Sequence, residues 1–168
     1  MRFNILGMIA AVALVAACET APTKEDAASG SGAKSGLTEA YETSAPVGPS
    51  MGSQEDLVVN VGDRVFFGFD KYNLQAESRQ VLEKQAAWLE KHGVLTVVVG
   101  GHADERGTRE YNLALGERRA NSVKDYLVAL GVANDRVSTI SYGKERSVAL
   151  GSNEAAWAQN RRSVTVTR

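Results

Sequence analysis

Across residues 57–168 the apolar positions switch back and forth between a period of two and the period of a helix. "VGDRVFFGF" (residues 61–69) sets Val61, Val65, Phe67 and Phe69 at alternate positions and predicts a strand. "QAESRQVLEKQAAWLEKH" (residues 75–92) puts Leu82, Ala86 and Leu89 on one face with Val81 and Trp88 beside it, an amphipathic helix that Gly93 would stop. "VLTVVVGG" (residues 94–101) is β-branched and almost wholly apolar, the composition of a central strand buried on both faces. Residues 108–130 return to the helical period through Ala120, Val123, Leu127 and Leu130, with Gly131 as the stop. "RVSTISYG" (residues 136–143) reads as a strand and "NEAAWAQNRR" (residues 153–162) as a short helix. "SVTVTR" reads as a last strand with Val164 and Val166 facing inward. The order β-α-β-α-β-α-β predicts an α/β two-layer sandwich, with helices on a mixed, partly parallel sheet, over residues 57–168.

The first part of the chain has a different texture. Arg2 precedes an apolar or small run, "ILGMIAAVALVAA" (residues 5–17), too short for a comfortable membrane span and typical of a secretory signal peptide over residues 1–17. It ends at "VAAC", which resembles a bacterial lipobox. That resemblance implies cleavage before Cys18 and lipidation of Cys18; the plainer alternative is an ordinary leader with an incidental cysteine. Cys18 is the chain's sole cysteine, so neither an intrachain disulfide nor a cysteine zinc site is available. Two or more acyl chains, at ~0.8 kcal/mol per buried CH₂, anchor a protein stably. Residues 18–56 then hold all three prolines (Pro22, Pro46, Pro49), "SGSGAKSG" and few large apolar side chains, the composition of a flexible linker. A coil of roughly 40 residues spans on the order of 35 Å. The formal net charge of −1, with Lys and Arg scattered, argues against nucleic acid as a partner.

Candidate chemistry concentrates in "GGHADERGTREYNLALGERRANSVKDYL" (residues 100–127), which gathers His102, Asp104, Glu105 and Arg106 in one turn ahead of a helix. A catalytic zinc needs three converging protein ligands, and the chain holds two histidines, His92 and His102. The G-x-S-x-G run "GPSMG" (residues 48–52) falls in the proline-bearing linker composition and not between a strand and a helix as a nucleophile elbow requires, and there is no spare thiol. A metal hydrolase using His102, Asp104 and Glu105 is therefore the weaker alternative, and the expectation is a non-enzymatic protein without cofactor or metal. Thr108 reads as a helix N-cap with Glu110 in the first turn, and the first backbone N–H groups there are open to an anion. Asn112, Leu115 and Arg119 recur at three- and four-residue spacing on one helix face, with Arg119 reaching back toward Asp104. Spacing alone leaves two outcomes open. Asp104 and Arg119 form a structural salt bridge, or they bound a pocket for a ligand with both an ammonium and a carboxylate, which the guanidinium fork grips on two prongs.

The run N-x-x-L-x-x-x-R-A (Asn112, Leu115, Arg119, Ala120), preceded by Gly-His-x-Asp, with "VFFGFDKY" upstream and "ISYGKERSVALGSNEAAWAQNRRSV" downstream, resembles the OmpA-like peptidoglycan-binding domain family, and most of all its lipoprotein members. The likeness extends from about Val61 to Arg168. It implies the OmpA-like βαβαβ(α)β fold and, as ligand, the peptide stem of peptidoglycan, in particular meso-diaminopimelate, whose side chain ends in an ammonium and a carboxylate. By position it implies that Asp104 and Arg119 hold that zwitterion and that Asn112 and Leu115 line the pocket. Thr108 and Tyr111 would lie beside them, Phe69, Asp70 and Lys71 across the cleft, and Arg106 at its flank. For Lys71 and Arg106 a solvated surface charge is the alternative; Arg118 is read as surface. The likeness further implies an outer-membrane lipoprotein whose domain faces the periplasm, partnered by TolB and other Tol proteins of the Tol–Pal envelope integrity and cell division system. Glu19, after the cysteine, is not the aspartate associated with inner-membrane retention, in keeping with the outer membrane. A wall-binding lipoprotein outside the Tol–Pal system is the nearest alternative.

Overall fold

The computed structural model describes residues 48–168. The leader, Cys18 and the linker up to residue 47 lie outside the described residues. Packed structure begins earlier than composition indicates. The Ser53 hydroxyl accepts the Asp56 amide at 3.1 Å and starts a single turn, α1 (Gln54–Asp56), which widens into a π turn over Leu57–Val61. Asp56 accepts the Trp88 indole N–H at 2.8 Å, and the Gln54 side-chain oxygen accepts the Thr167 amide at 2.8 Å, so this turn is stitched to the body of the domain.

The Asp56 stitch carries a pH signature. Hydrogen bonds from Asn60, the Gly52 amide and Trp88 lower its carboxyl from 3.8 to about 2. A depressed folded-state value means the contribution is whole above the ordinary carboxylate range and is lost as pH falls toward about 2. The gap in melting temperature between wild type and Asp56→Asn is therefore expected to be widest above about pH 4 and to close as acid is added. Thermal melts across that range check it; a gap independent of pH would remove the carboxylate from the account.

The sheet has the order β1-β4-β2-β3, with β1 (Arg64–Phe66), β2 (Val97–His102), β3 (Val137–Gly143) and β4 (Arg162–Thr167). β4 runs antiparallel to both neighbours and β2 runs parallel to β3, so the sheet is mixed as expected. α2 (Ala76–Lys91) and α3 (Arg109–Ala129) cover one face. Leu82 and Leu89 from α2, Ala120, Val123 and Leu127 from α3, and Val65, Val97, Val99 and Val137 from the strands form one buried core. Gly131, at φ 102°, terminates α3. A 3₁₀ turn at Asn134–Arg136 leads into β3, and α4 (Glu154–Asn160), capped by Asn153, precedes β4.

Two local expectations fail. β1 is three residues long, because Val61 lies in the π turn, Gly62 at φ 99° redirects the chain, and Phe69 leaves the sheet for the rim of a cleft. In β4 the inward residues are Ser163 and Thr165, each 2 % exposed, whereas Val166 is 44 % exposed and Val164 half-buried. Alternating valine and β-hydroxy residues fit either face, and a strand's period of two makes the choice all-or-none. A polar chain under α2 decides it: Thr165 donates to Gln85 at 2.9 Å, and Gln85 donates to the Gly62 carbonyl at 2.7 Å.

α3 lies unusually close to β2. A Cβ on Gly101 would sit 1.8 Å from the Gly116 carbonyl oxygen, and one on Gly116 would sit 2.4 Å from the Ser141 hydroxyl. This glycine-on-glycine contact sets the depth at which Asn112, Leu115 and Arg119 face the turn after β2.

Candidate functional site

β2 delivers the chain into the turn at residues 103–108, and Thr108 ends that turn by accepting the Tyr111 amide at 3.2 Å. Asn112, 2 % exposed, donates to the carbonyls of Arg106 at 2.8 Å and Thr108 at 3.1 Å and so fixes the turn's shape. Between this turn, α3 and the chain leaving β1 lies a cleft of about 230 Å³. Of the residues singled out in the sequence, Phe69, Asp70, Asp104, Arg106, Tyr111, Asn112, Leu115 and Arg119 all line it. Thr108 does not; it acts as the cap. Lys71 is absent from the walls as well, its side chain being exposed while its carbonyl is engaged inside.

The two charged poles of the cleft are not bonded to each other. Arg119 is fully buried, and its guanidinium donates to the carbonyls of Lys71 (Nε, 2.8 Å), His102 (Nη1, 2.7 Å) and Gly68 (Nη2, 3.2 Å). Among the described residues no carboxylate lies within ion-pair distance of it. Desolvation pulls it down to about 10, so it stays protonated at neutral pH. Three of its five N–H groups are engaged, which leaves one on each terminal nitrogen. The salt bridge between Asp104 and Arg119 is thus not formed.

Asp104, 4 % exposed, is held instead by Arg106 (Nη2 to Oδ2, 2.6 Å) and Arg161 (Nη1 to Oδ2, 3.4 Å). Burial pushes its carboxyl up, but the Arg106 side chain and amide, with Arg161, outweigh that and hold it below its ordinary value. Arg106 is no free surface charge. Its guanidinium lies 4.1 Å from the Phe69 ring centre and 4.0 Å from that of Trp157, a cation between two aromatic faces. Across the cleft Asp70 adopts φ 54° and accepts the Tyr111 hydroxyl.

Two partners escape a reading centred on residues 100–127. Arg161 ties Asp104 to Glu154 (2.6 Å) and to the Phe67 carbonyl (3.1 Å), and Trp157 also donates to Glu105 at 3.0 Å. Both come from the segment around α4, far along the chain; the available signal was the tandem Arg161–Arg162 after a tryptophan. His102, Asp104 and Glu105 do not converge. The His102 ring stacks on Tyr142, centroids 5.1 Å apart, and lines a different concavity. No group of three potential metal ligands occurs among the described residues.

The OmpA family model matches residues 66–161, a span that includes every lining residue of the cleft. The peptidoglycan-associated lipoprotein of Rhizobium meliloti is 55% identical over 115 residues, covering 68% of this chain and 65% of that protein, just under two thirds of its length. That of Brucella suis is 53% identical over 115 residues, covering 68% of each. The crystal structure of the peptidoglycan-associated lipoprotein from Burkholderia pseudomallei matches with a TM-score of 0.62 at 44% identity, covering 63% of this chain and 90% of that one. The C-terminal domain of Helicobacter pylori MotB, TM-score 0.59 at 20% identity, shares the fold alone. With the family model spanning more than half its length and relatives above half identity, the chain belongs to the OmpA family.

Proposed function

We propose that the cleft binds the free amino-acid end of a meso-diaminopimelate side chain in peptidoglycan, and that the protein tethers the outer membrane to the cell wall without covalent bonds. One observation carries the reading. A buried carboxylate and a buried guanidinium without a carboxylate partner line one cleft whose other walls, Phe69, Tyr111 and Leu115, suit a methylene chain. The ligand's ammonium goes to Asp104, where it replaces Arg106. Its carboxylate goes to Arg119, whose two unengaged N–H groups match a carboxylate's two oxygens. Lipidation at Cys18, anchoring in the outer membrane, a periplasm-facing domain at the end of a linker, and work with TolB and other Tol proteins complete the proposal. The names of the relatives support the wall-binding and lipoprotein parts of it.

Sedimentation with purified sacculi tests the cleft. Asp104→Asn is expected to weaken pelleting by the equivalent of roughly 2–5 kcal/mol, the cost of removing one member of a desolvated charge pair. Walls built with lysine in place of diaminopimelate are expected to bind less well, since lysine has no second carboxylate. Equal binding to both walls would sink the Arg119 assignment. A pull-down with TolB separates a Tol–Pal protein from a wall-binding lipoprotein outside that system.

A further inference from the structure

The helix-free face of the sheet carries a second concavity of about 380 Å³, walled by Arg64, His102, Tyr142, Arg146, Arg162 and Val164 among others. Arg162 is 4 % exposed and His102 5 %, yet Arg162 Nε and His102 Nδ1 have no hydrogen-bond partner. The remaining nitrogens of Arg162 reach only carbonyl oxygens, those of Asn160 at 3.4 Å and Arg146 at 3.2 Å. Among the described residues no carboxylate pairs with Arg162 or Arg146. Asp63, whose charge acts on Arg162, is itself engaged by Arg64 through two hydrogen bonds of 2.8 and 3.0 Å. The Arg146 guanidinium lies 3.9 Å from the Tyr142 ring centre, and Tyr142 stacks on His102. Desolvation, then the charges of Arg162 and Arg146, lower His102 to about 4, as a net positive enclosure requires.

A buried guanidinium without a counter-charge and a buried imidazole nitrogen without a partner are the groups that in a native protein call for an absent ligand. We propose that this concavity binds a phosphate oxyanion between Arg146, Arg162 and His102, on the sheet face opposite the cleft. Two uncompensated guanidinium groups match a group that bears one to two negative charges and accepts hydrogen bonds from several directions. Exposed Val148 (57 %) and Val166 (44 %) border the site, a setting that suits a free phosphate or the phosphate of a lipid headgroup.

Full-length protein with isotope-labelled histidine tests this, because His102 is one of two histidines and His92→Gln isolates its signal. Inorganic phosphate is expected to shift the His102 resonances saturably and to raise its pKa, since an adjacent anion favours imidazolium. Arg146→Gln, on an exposed side chain, is expected to weaken that binding about tenfold with the melting temperature unchanged. Arg162→Gln removes the buried donor; if it fails to fold, the Arg146 variant carries the test. A shift produced by phosphatidylcholine vesicles only when they contain phosphatidylglycerol, and not by inorganic phosphate, supports the site with a headgroup as its source. No saturable shift with either probe, or one undiminished in Arg146→Gln, overturns the proposal.

Discussion

Arg119→Ala is expected to cost as much in folding as in binding. The substitution strips the donor from the carbonyls of Gly68 and Lys71, in the chain after β1, and of His102, at the end of β2. An unsatisfied buried acceptor costs about 1–3 kcal/mol, and a fully buried side chain leaves a cavity as well, so a loss of roughly 3–5 kcal/mol of stability is expected. Urea unfolding measures it directly. Arg119→Lys is expected to fall between the two, because one ammonium replaces a fork reaching three acceptors in different directions. A melting curve for Arg119→Ala within about 1 kcal/mol of wild type would show that the carbonyls rearrange, and with that the claim that Arg119 organises the cleft is lost. The practical result is that a binding defect in this variant says little about ligand contact unless stability is measured beside it. Asp104→Asn is the sharper probe, since Arg161 keeps Glu154 and the Phe67 carbonyl without it.

Gly101→Ala carries the second large effect. The added methyl would meet the Gly116 carbonyl oxygen at 1.8 Å, and backbone cannot swing aside as a side chain does. α3 must lift from β2, at a cost at or above the 1–3 kcal/mol typical of overpacking. The lift also moves Asn112 and Arg119, so wall binding is expected to fall together with the melting temperature. Alanine at Gly93, where nothing lies within 4 Å, is the control and is expected to leave both unchanged. If Gly101→Ala melts like the control, the close approach of helix and strand is not the constraint argued above.

The elements that periodicity captured are those whose burial follows from local pattern: α2, α3 with its Thr108 cap, and the apolar β2 all form within a few residues of expectation. The facing of β4 was not legible because valine and threonine are equally at home on either side of a strand; a glutamine on another element, Gln85, settles it. The position of Asp104 and Arg119 on one cleft was legible from helical spacing. Their actual partners were not, because Arg119 bonds to backbone oxygens, which carry no sequence signal, and Arg161 reaches Asp104 from 57 positions away along the chain. Arg106 changed most: a charge readable as solvated is held between Phe69 and Trp157 on the buried acid.

The placement of β4 bears on the order in which the molecule can assemble. β4 comes last among the four strands in sequence yet lies between β1 and β2, so those two touch only through it. Helix α3 can dock on the parallel pair β2–β3 as a largely local event. β1, and the residues after it that accept from Arg119, have no strand to join until β4 arrives from about a hundred residues downstream. Contacts of such long sequence separation are formed late and slowly. The geometry of the cleft is thereby tied to the completion of folding: a partly folded domain would expose Asp104 and Arg119 without the arrangement on which the proposed recognition depends.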